Sequence, residues 1–489
     1  MWISTVIILL VFVTIIVLLM LEKVNRIVLV LCGAIICFFT LTFIEGKDYS
    51  IFIGFIFGTP SDNFVNSHSL FLIFGISIII QICHISGLFS FLSLKLILAT
   101  ANRPKLLLFI LCTVTVIISA IINNILTVMI IIPLTITVSR ILNIDPEPFI
   151  ITQAVLVNIG GTFFSLSSIP NILITGSSGI GFNDFFLNVG ILSIVVFLLT
   201  VGLFYLIYGK SIQIPRENIG ILKELSPSSM IPNKSLLIKS SIVLVTVFVL
   251  FIIIPPIIVP PDIIAIGGAM VLVLISSQDM EKIINEIDTG LLFYLMGIFV
   301  IAGSLEDTGL LQQLGEFIAR LSGDNILVAI LSILWISGLL SATIDNIPIT
   351  KVLIPAVSSI TVGYTEMNRK LAFYSLAIGA NWGDNFTPMG DNILVMNIAS
   401  KNKRPIRMRE FWRIGFIATF FQLCIVTIFY GFLLNWVFGI FALLGFMLIF
   451  GLYYVLKLNT QTILKFKNYR EKKRSKRKNG NEKPKKNKK

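Results

Sequence analysis

Charged residues are scarce in this sequence: Asp, Glu, Lys and Arg make up 13% of 489 residues, against 56% hydrophobic ones. Soluble domains carry about a quarter of their residues charged, so this balance excludes an ordinary soluble globule and a disordered chain alike. Histidine is almost missing, with two residues, and the five cysteines (Cys32, Cys37, Cys83, Cys112 and Cys424) sit inside apolar runs without a Cys-x-x-Cys spacing. That excludes a disulfide framework and a metal finger. No H-E-x-x-H, G-x-S-x-G or Tyr-Asp occurs, so the signatures of metalloproteases, serine hydrolases and aspartyl intramembrane enzymes are absent and no enzyme is expected. What remains is long apolar runs and a mean hydropathy of +0.95, the marks of an all-α polytopic membrane protein.

The formal net charge is +13, but it is not spread along the chain. Residues 461–489 hold 14 basic and two acidic residues, leaving 24 basic and 23 acidic residues in the first 460. The body is nearly neutral, and the basicity belongs to a tail. A Lys-rich segment directly after a helix is expected to be a disordered cytoplasmic extension touching anionic lipid head groups, not a nucleic-acid binder.

A bilayer crossing takes about 20 apolar residues. About 11 crossings are predicted, near 3–21, 27–44, 69–87, 149–176, 187–208, 237–259, 262–277, 289–304, 370–397, 412–434 and 437–457. The first is expected to be a retained helix, since it lacks a basic start and a small-residue cleavage pattern. Lys and Arg mark cytoplasmic loops. They collect at Lys210, Arg216, Lys223, Lys234 and Lys239, and again at Lys401, Lys403, Arg404, Arg407, Arg409 and Arg413. With the tail also inside, Lys23 and Arg26 fall inside and the N-terminus outside, in what is expected to be the cell membrane.

Two further apolar segments do not read as single crossings. Residues 106–139 are interrupted only by Asn123-Asn124 and end in basic residues on both sides, Lys105 and Arg140. A re-entrant hairpin with its tip near the membrane middle fits. In the second half, 325–360 carries Asp345-Asn346 at its centre, and both pairs are followed at the same distance by a proline, Pro133 and Pro355. Each half also contains a helix broken by small and polar residues. The first break runs from Asn158 through Gly160, Gly161, Ser167, Ser168 and Pro170 to Asn171. The second runs from Asn381 through Gly383, Asp384 and Thr387 to Asp391 and Asn392. An odd number of crossings per half would make the halves inverted repeats: 1–208, then a cytoplasmic linker 209–236, then 237–434, with an extra helix 437–457 and the tail 461–489. Paired hairpins and broken helices in inverted halves are the pattern of secondary transporters with a midplane site. Unwound backbone at that depth is tolerated only where it lines a cavity.

The stretch Ser341-Ala-Thr-Ile-Asp-Asn-Ile-Pro-Ile-Thr350, the Asn158-Ile-Gly-Gly161 break, and Gly379-Ala-Asn-Trp-Gly383 with Thr387-Pro-Met-Gly390 resemble one known group. It is that of the arsenite permeases, NhaD-type sodium/proton antiporters and P proteins of the ion transporter superfamily, with citrate and dicarboxylate carriers as more distant relatives. The resemblance implies scaffold helices, a possible homodimer, and a transport domain of two hairpins and two broken helices. It implies substrate contacts from Asn123, Asn124, Asn158, Gly160, Gly161, Asn171, Asn346, Asn381, Gly383, Thr387 and Asn392. The chain departs from the pattern at Ser167-Ser168-Ile-Pro, where relatives often have Gly-Asp-Pro-Pro, and the second break is shorter between Gly390 and Asn392.

Intramembrane carboxylates are costly and mark ion or proton handling. Asp345, Asp384 and Asp391, with Lys351, are therefore the expected coupling-ion or proton residues, and Na⁺ is placed at Asp384, Asp391 and Asn392. Asp345 and Lys351 are not helix neighbours, yet folding of the hairpin could pair them. No cofactor is expected beyond Na⁺ or H⁺. The function expected is alternating-access transport of a small inorganic or organic anion of the arsenite, citrate or dicarboxylate type, coupled to Na⁺ or H⁺. The alternative is Na⁺/H⁺ antiport; an ion channel or an intramembrane enzyme would not need the duplication. A surface amphipathic helix is expected over 306–321, and His84 is read as structural.

Overall fold

The computed structural model describes residues 2–21, 24–99, 106–209, 226–323, 325–388 and 391–451. The tail 461–489, Lys23, Lys105, most of the 209–236 linker and Gly390 lie outside the described residues, as does the side chain of Asp391. Within them the chain is helical, without strands. Contacts divide it into two compact units, 1–423 and 424–489.

The first unit opens with α1 (Trp2–Leu21), α2 (Arg26–Glu45), α3 (Tyr49–Phe57), α4 (Val65–Ile85) and α5 (Leu88–Ala99). The first hairpin is α6 (Leu107–Ile121) and α7 (Asn124–Ile141), and the first broken helix is α8 (Glu147–Gly160) and α9 (Ile169–Ser178). It is followed by α10 (Phe182–Tyr208). The second half runs α11 (Lys234–Ile253), α12 (Pro261–Ser276), α13 (Met280–Glu286), α14 (Thr289–Asp307) and α15 (Leu310–Ser322). It continues with hairpin α16 (Ile326–Ser341) and α17 (Asn346–Ile360), broken helix α18 (Glu366–Gly383) and α19 (Asp391–Lys401), then α20 (Met408–Leu434). The second unit holds the end of α20 and α21 (Trp436–Gly451). Among the described residues, eight helices are long and apolar enough to cross a membrane. Their outward side chains, such as Leu198 and Ile242, are exposed, as lipid-facing positions require: lipid is as apolar a medium as the protein core.

Local chemistry sets the element ends. Asn25 caps α2 by accepting from Ile27 N at 2.9 Å, Asn233 caps α11 at Ser235 N, 2.9 Å, and Asn325 caps α16 at Leu327 N, 3.0 Å. Each satisfies donors that a helix start leaves unpaired. The short helices α3, α5 and α13 were not legible as crossings. The amphipathic helix expected over 306–321 begins later: Glu306 and Asp307 end α14, Gly309 takes a left-handed turn at φ 76°, and α15 starts at Leu310. Only glycine makes that turn without strain.

The two halves pack alike. In each, the first hairpin arm lies on the first segment of the broken helix, α6 on α8 and α16 on α18. The return arms then cross over, α7 packing on α19 and α17 on α9. Each hairpin is thereby locked against the broken helix of the other half.

Candidate functional site

Glycine makes the arm-on-helix contacts close. A Cβ at Gly160 would stand 2.7 Å from Ser119 Cβ and Val116 O, and one at Gly383 would stand 2.2 Å from Gly338 O. Both residues thus sit at backbone-to-backbone contacts. At Gly161 a Cβ would come within 2.9 Å of Asn124 Oδ1, so this glycine makes room for a tip amide.

The unwound segments are tied the same way in both halves. Asn171 Nδ2 donates back to Gly161 O at 2.8 Å and Phe164 O at 3.2 Å. Asn392 Nδ2 donates to Asp384 O at 3.1 Å and Thr387 O at 3.3 Å. An asparagine at the start of the second segment thus satisfies carbonyls that the break frees. Thr387 Oγ1 donates to Ala342 O, pinning the second break to its hairpin. The hairpin arms make matching ties: Ser119 Oγ to Val157 O and Ser341 Oγ to Ala380 O, both 2.6 Å.

Where the broken helices meet, first-half and second-half amides form a buried polar seam. Asn124 Nδ2 donates to Asn158 Oδ1 at 2.6 Å, Asn158 Nδ2 to Asn385 Oδ1 at 2.8 Å, and the Asn158 amide lies 3.5 Å from Asp384 Oδ2. Asn381 Nδ2 donates to Asn171 Oδ1 at 2.8 Å, and Trp382 Nε1 to Thr162 Oγ1 at 3.0 Å. Asn158, Asn171, Asn381 and Asn385 are completely buried, and Asp384 is 4% exposed. Buried polar groups in such a network are tolerated because nearly all are paired. Asn381 Oδ1 is an exception, buried without a partner. Among the described residues no group of three or more His, Cys, Asp or Glu is placed to hold a metal ion.

The hairpin tips cap the return arms. Asn123 accepts from Leu126 N at 2.9 Å and Asp345 from Ile347 N at 3.3 Å. Both tips line one cavity of about 310 Å³, with Asn124, Ser168, Pro170, Asn346, Arg26, Gln81, Glu286 and Asp288. Five helices start on it: α2 at Arg26, α7 at Asn123, α9 at Ser168, α14 at Asp288 and α17 at Asp345. Asn123, Asp288 and Asp345 cap their helices with side chains, but α9 has no side-chain cap. Ser168 is 5% exposed and its Oγ has no partner.

Lys351 stands elsewhere. Its Nζ donates to Asn66 Oδ1 on α4 at 2.6 Å and lies 4.8 Å over the Phe299 ring. It opens with Glu306 and Asp62 onto a second cavity of about 1170 Å³. The pairing of Asp345 with Lys351 is not formed. Each helix turn carries a side chain about 5.4 Å further along the axis, so the six-residue step from one to the other puts the two groups at different depths. Asp345 faces Arg26 and Tyr294 instead. The two cavities occupy opposite ends of α9, α14 and α17, the tip cavity at their starts and the second at their later turns.

Of the residues expected at the site, Asn123, Asn124, Asp345 and Asn346 line the tip cavity, while Asn158, Asn171, Asn381 and Asp384 form the seam. Gly160 and Gly383 serve helix contact, and Thr387 and Asn392 hold the second break. Sequence reasoning passed over Asn385, Arg26, Gln81 and Ser168 as site residues. Asn385 lies between Asp384 and Thr387 and was there to be read; Arg26 served only as a topology marker.

The sequence model of the citrate transporter family matches residues 16–372 and 259–473. An uncharacterized transporter of Mycobacterium tuberculosis is 28% identical over 363 residues, covering 74% of this chain and 84% of that protein. One from Synechocystis is 27% identical over 453 residues, covering 87% and 96%. The human P protein is 24% identical over 435 residues, covering 72% of this chain and 52% of that protein. Among solved structures, the YdaH transporter of Alcanivorax borkumensis, described as having an unusual topology, aligns with a TM-score of 0.51 at 15% identity, covering 80% of this chain and 88% of that one.

Proposed function

The chain belongs to the citrate transporter family, and on that premise we propose that this membrane transporter moves a small organic anion of the di- or tricarboxylate class by alternating access, coupled to Na⁺ or H⁺. The observation that carries the reading is the uncapped start of α9 in the tip cavity, with Ser168 Oγ buried and unpartnered beside it. A helix start concentrates free N–H groups and partial positive charge, and is a natural carboxylate site. Asn124 and Asn346 stand on the same cavity to orient the ligand.

Asp384, buried in the seam within reach of Asn158, supports a cation in the cycle. A carboxylate at such a buried place is costly as a bare charge, and either taking up a proton or pairing with Na⁺ relieves that cost. The halves are proposed to be inverted repeats, supported by the matching hairpin, glycine and asparagine ties. The two cavities at opposite ends of α9, α14 and α17 would then be access routes from the two sides, and the positive charge of Arg26 supports a cytoplasmic facing for the tip cavity.

The test is uptake of radiolabelled citrate into proteoliposomes under an imposed Na⁺ gradient, a pH gradient, or neither. Uptake is expected only with one of the gradients and should fall about tenfold in Ser168→Ala, the loss of one hydrogen bond to a charged group. Gradient-driven Na⁺/H⁺ exchange without carboxylate uptake would favour the antiport reading instead.

A further inference from the structure

The donors of the tip cavity are met, in this structure, by the chain's own carboxylates. Arg26 Nη2 lies 3.3 Å from Asp288 Oδ2. Gln81, 8% exposed on α4, donates from Nε2 to Glu286 Oε2 at 2.8 Å. Both acids come from the junction of α13 and α14, Glu286 as the last residue of α13 and Asp288 as the cap of α14, and all four residues line the cavity.

A charge count shows what this does. Each helix start contributes about +0.5 and each helix end about −0.5, so the five starts, the end of α13 at Glu286 and the Arg26 guanidinium together amount to about +3. Asp345, Asp288 and Glu286 oppose that with three negative charges when ionised. The cavity is thus close to neutral as it stands, and an anion entering it needs donors released. Asp345 is held as the cap of α17. The Arg26–Asp288 pair is different: its side chains are 40% and 52% exposed, and exposed ion pairs are weak and readily exchanged. Ser168 Oγ, unpartnered in the same cavity, is a donor that the acids leave unmet.

Resting on the carboxylate-transport reading, we infer that Arg26 and Gln81 are specificity-determining residues for a di- or tricarboxylate. Two of its carboxylates take the places that Asp288 and Glu286 hold here. The 286–288 segment is an internal competitor: it presents two carboxylates at the spacing the donors accept, and yields to a ligand that presents two at once. A monocarboxylate releases only one donor and leaves the other with the competitor, so the arrangement discriminates by the number of carboxylates.

The experiment is calorimetric titration of the purified full-length protein with citrate, succinate and acetate. Asp288→Asn removes the competing charge but keeps the α14 cap, since Asn caps as well as Asp. Asp288→Asn and Glu286→Gln should each tighten citrate binding about fivefold, the scale of one charge a few ångströms from an anion near the surface. Arg26→Gln should weaken it about tenfold or more, with Arg26→Lys in between because the planar fork is lost. Acetate, which engages one donor, should respond to the variants of only one of the two pairs, and less than citrate does. A wild type that binds citrate while Asp288→Asn and Glu286→Gln leave its affinity unchanged or weaker overturns the inference, as does acetate following citrate in step. A wild type that binds neither citrate nor succinate removes the carboxylate reading itself. Should Arg26→Gln fail to fold, the two acid variants still decide.

Discussion

Asn123 and Asp345, the polar tips that stood out in apolar sequence, are helix caps as well as cavity residues. An intramembrane helix start has no water to satisfy its N–H groups, so a capping side chain is needed there whatever is transported. The two roles separate by substitution. Asp345→Asn keeps the cap and should leave thermal stability unchanged, whereas Asp345→Ala should lose about 1 kcal/mol, both read by thermal unfolding in detergent. Asp384 is expected to behave otherwise, because it lies in the seam beside Asn158. Asp384→Asn should fold normally and transport with its Na⁺ or pH dependence abolished, measured as citrate uptake with and without gradients. Normal cation dependence in that variant would remove Asp384 from the coupling mechanism. These residues were legible because polar groups in apolar runs are conspicuous. Arg26 and Ser168 were not, since a basic residue near a helix end and a serine beside another serine are ordinary until distant segments place them on one cavity.

At the scale of elements, hairpin arms and broken helices are held by missing side chains as much as by present ones. Gly383 meets the Gly338 backbone where a Cβ would fall at 2.2 Å, and Gly160 plays the same part in the first half. Gly383→Ala should therefore destabilise the protein by roughly 1–3 kcal/mol, the cost of overpacking. Gly202→Ala on α10, with nothing within 4 Å of its Cβ, should be silent in the same thermal assay. The paired hairpins and breaks were readable from spacing, because Asn-Asn and Asp-Asn tips, prolines and broken segments recur at nearly constant offset. The crossed packing of α7 on α19 and α17 on α9 was not, since periodicity names a helix's buried face and never its neighbour. The late start of α15 likewise turned on the conformation of Gly309 and not on amphipathic pattern, which alone would have carried the helix back to Glu306.

At the scale of the whole molecule, nearly all the excess charge sits in residues 461–489, a stretch of sequence that contributes no residue to the proposed site. Deleting that segment should leave citrate uptake largely intact in a membrane-inserted protein, and abolished uptake would assign the tail a part in transport. The central claim is that the anion binds where both hairpins and the start of α9 converge, while Lys351 belongs to a separate cavity at the other end of the same helices. The measurement that bears on it most directly is thiol labelling in proteoliposomes, with a cysteine-free background carrying either Ser168→Cys in the tip cavity or Ser358→Cys in the second. Citrate should slow labelling at position 168 with a half-effect concentration equal to the KM of uptake, and leave position 358 unprotected at that concentration. Citrate uptake with no protection at 168, or with protection confined to 358, would contradict the account.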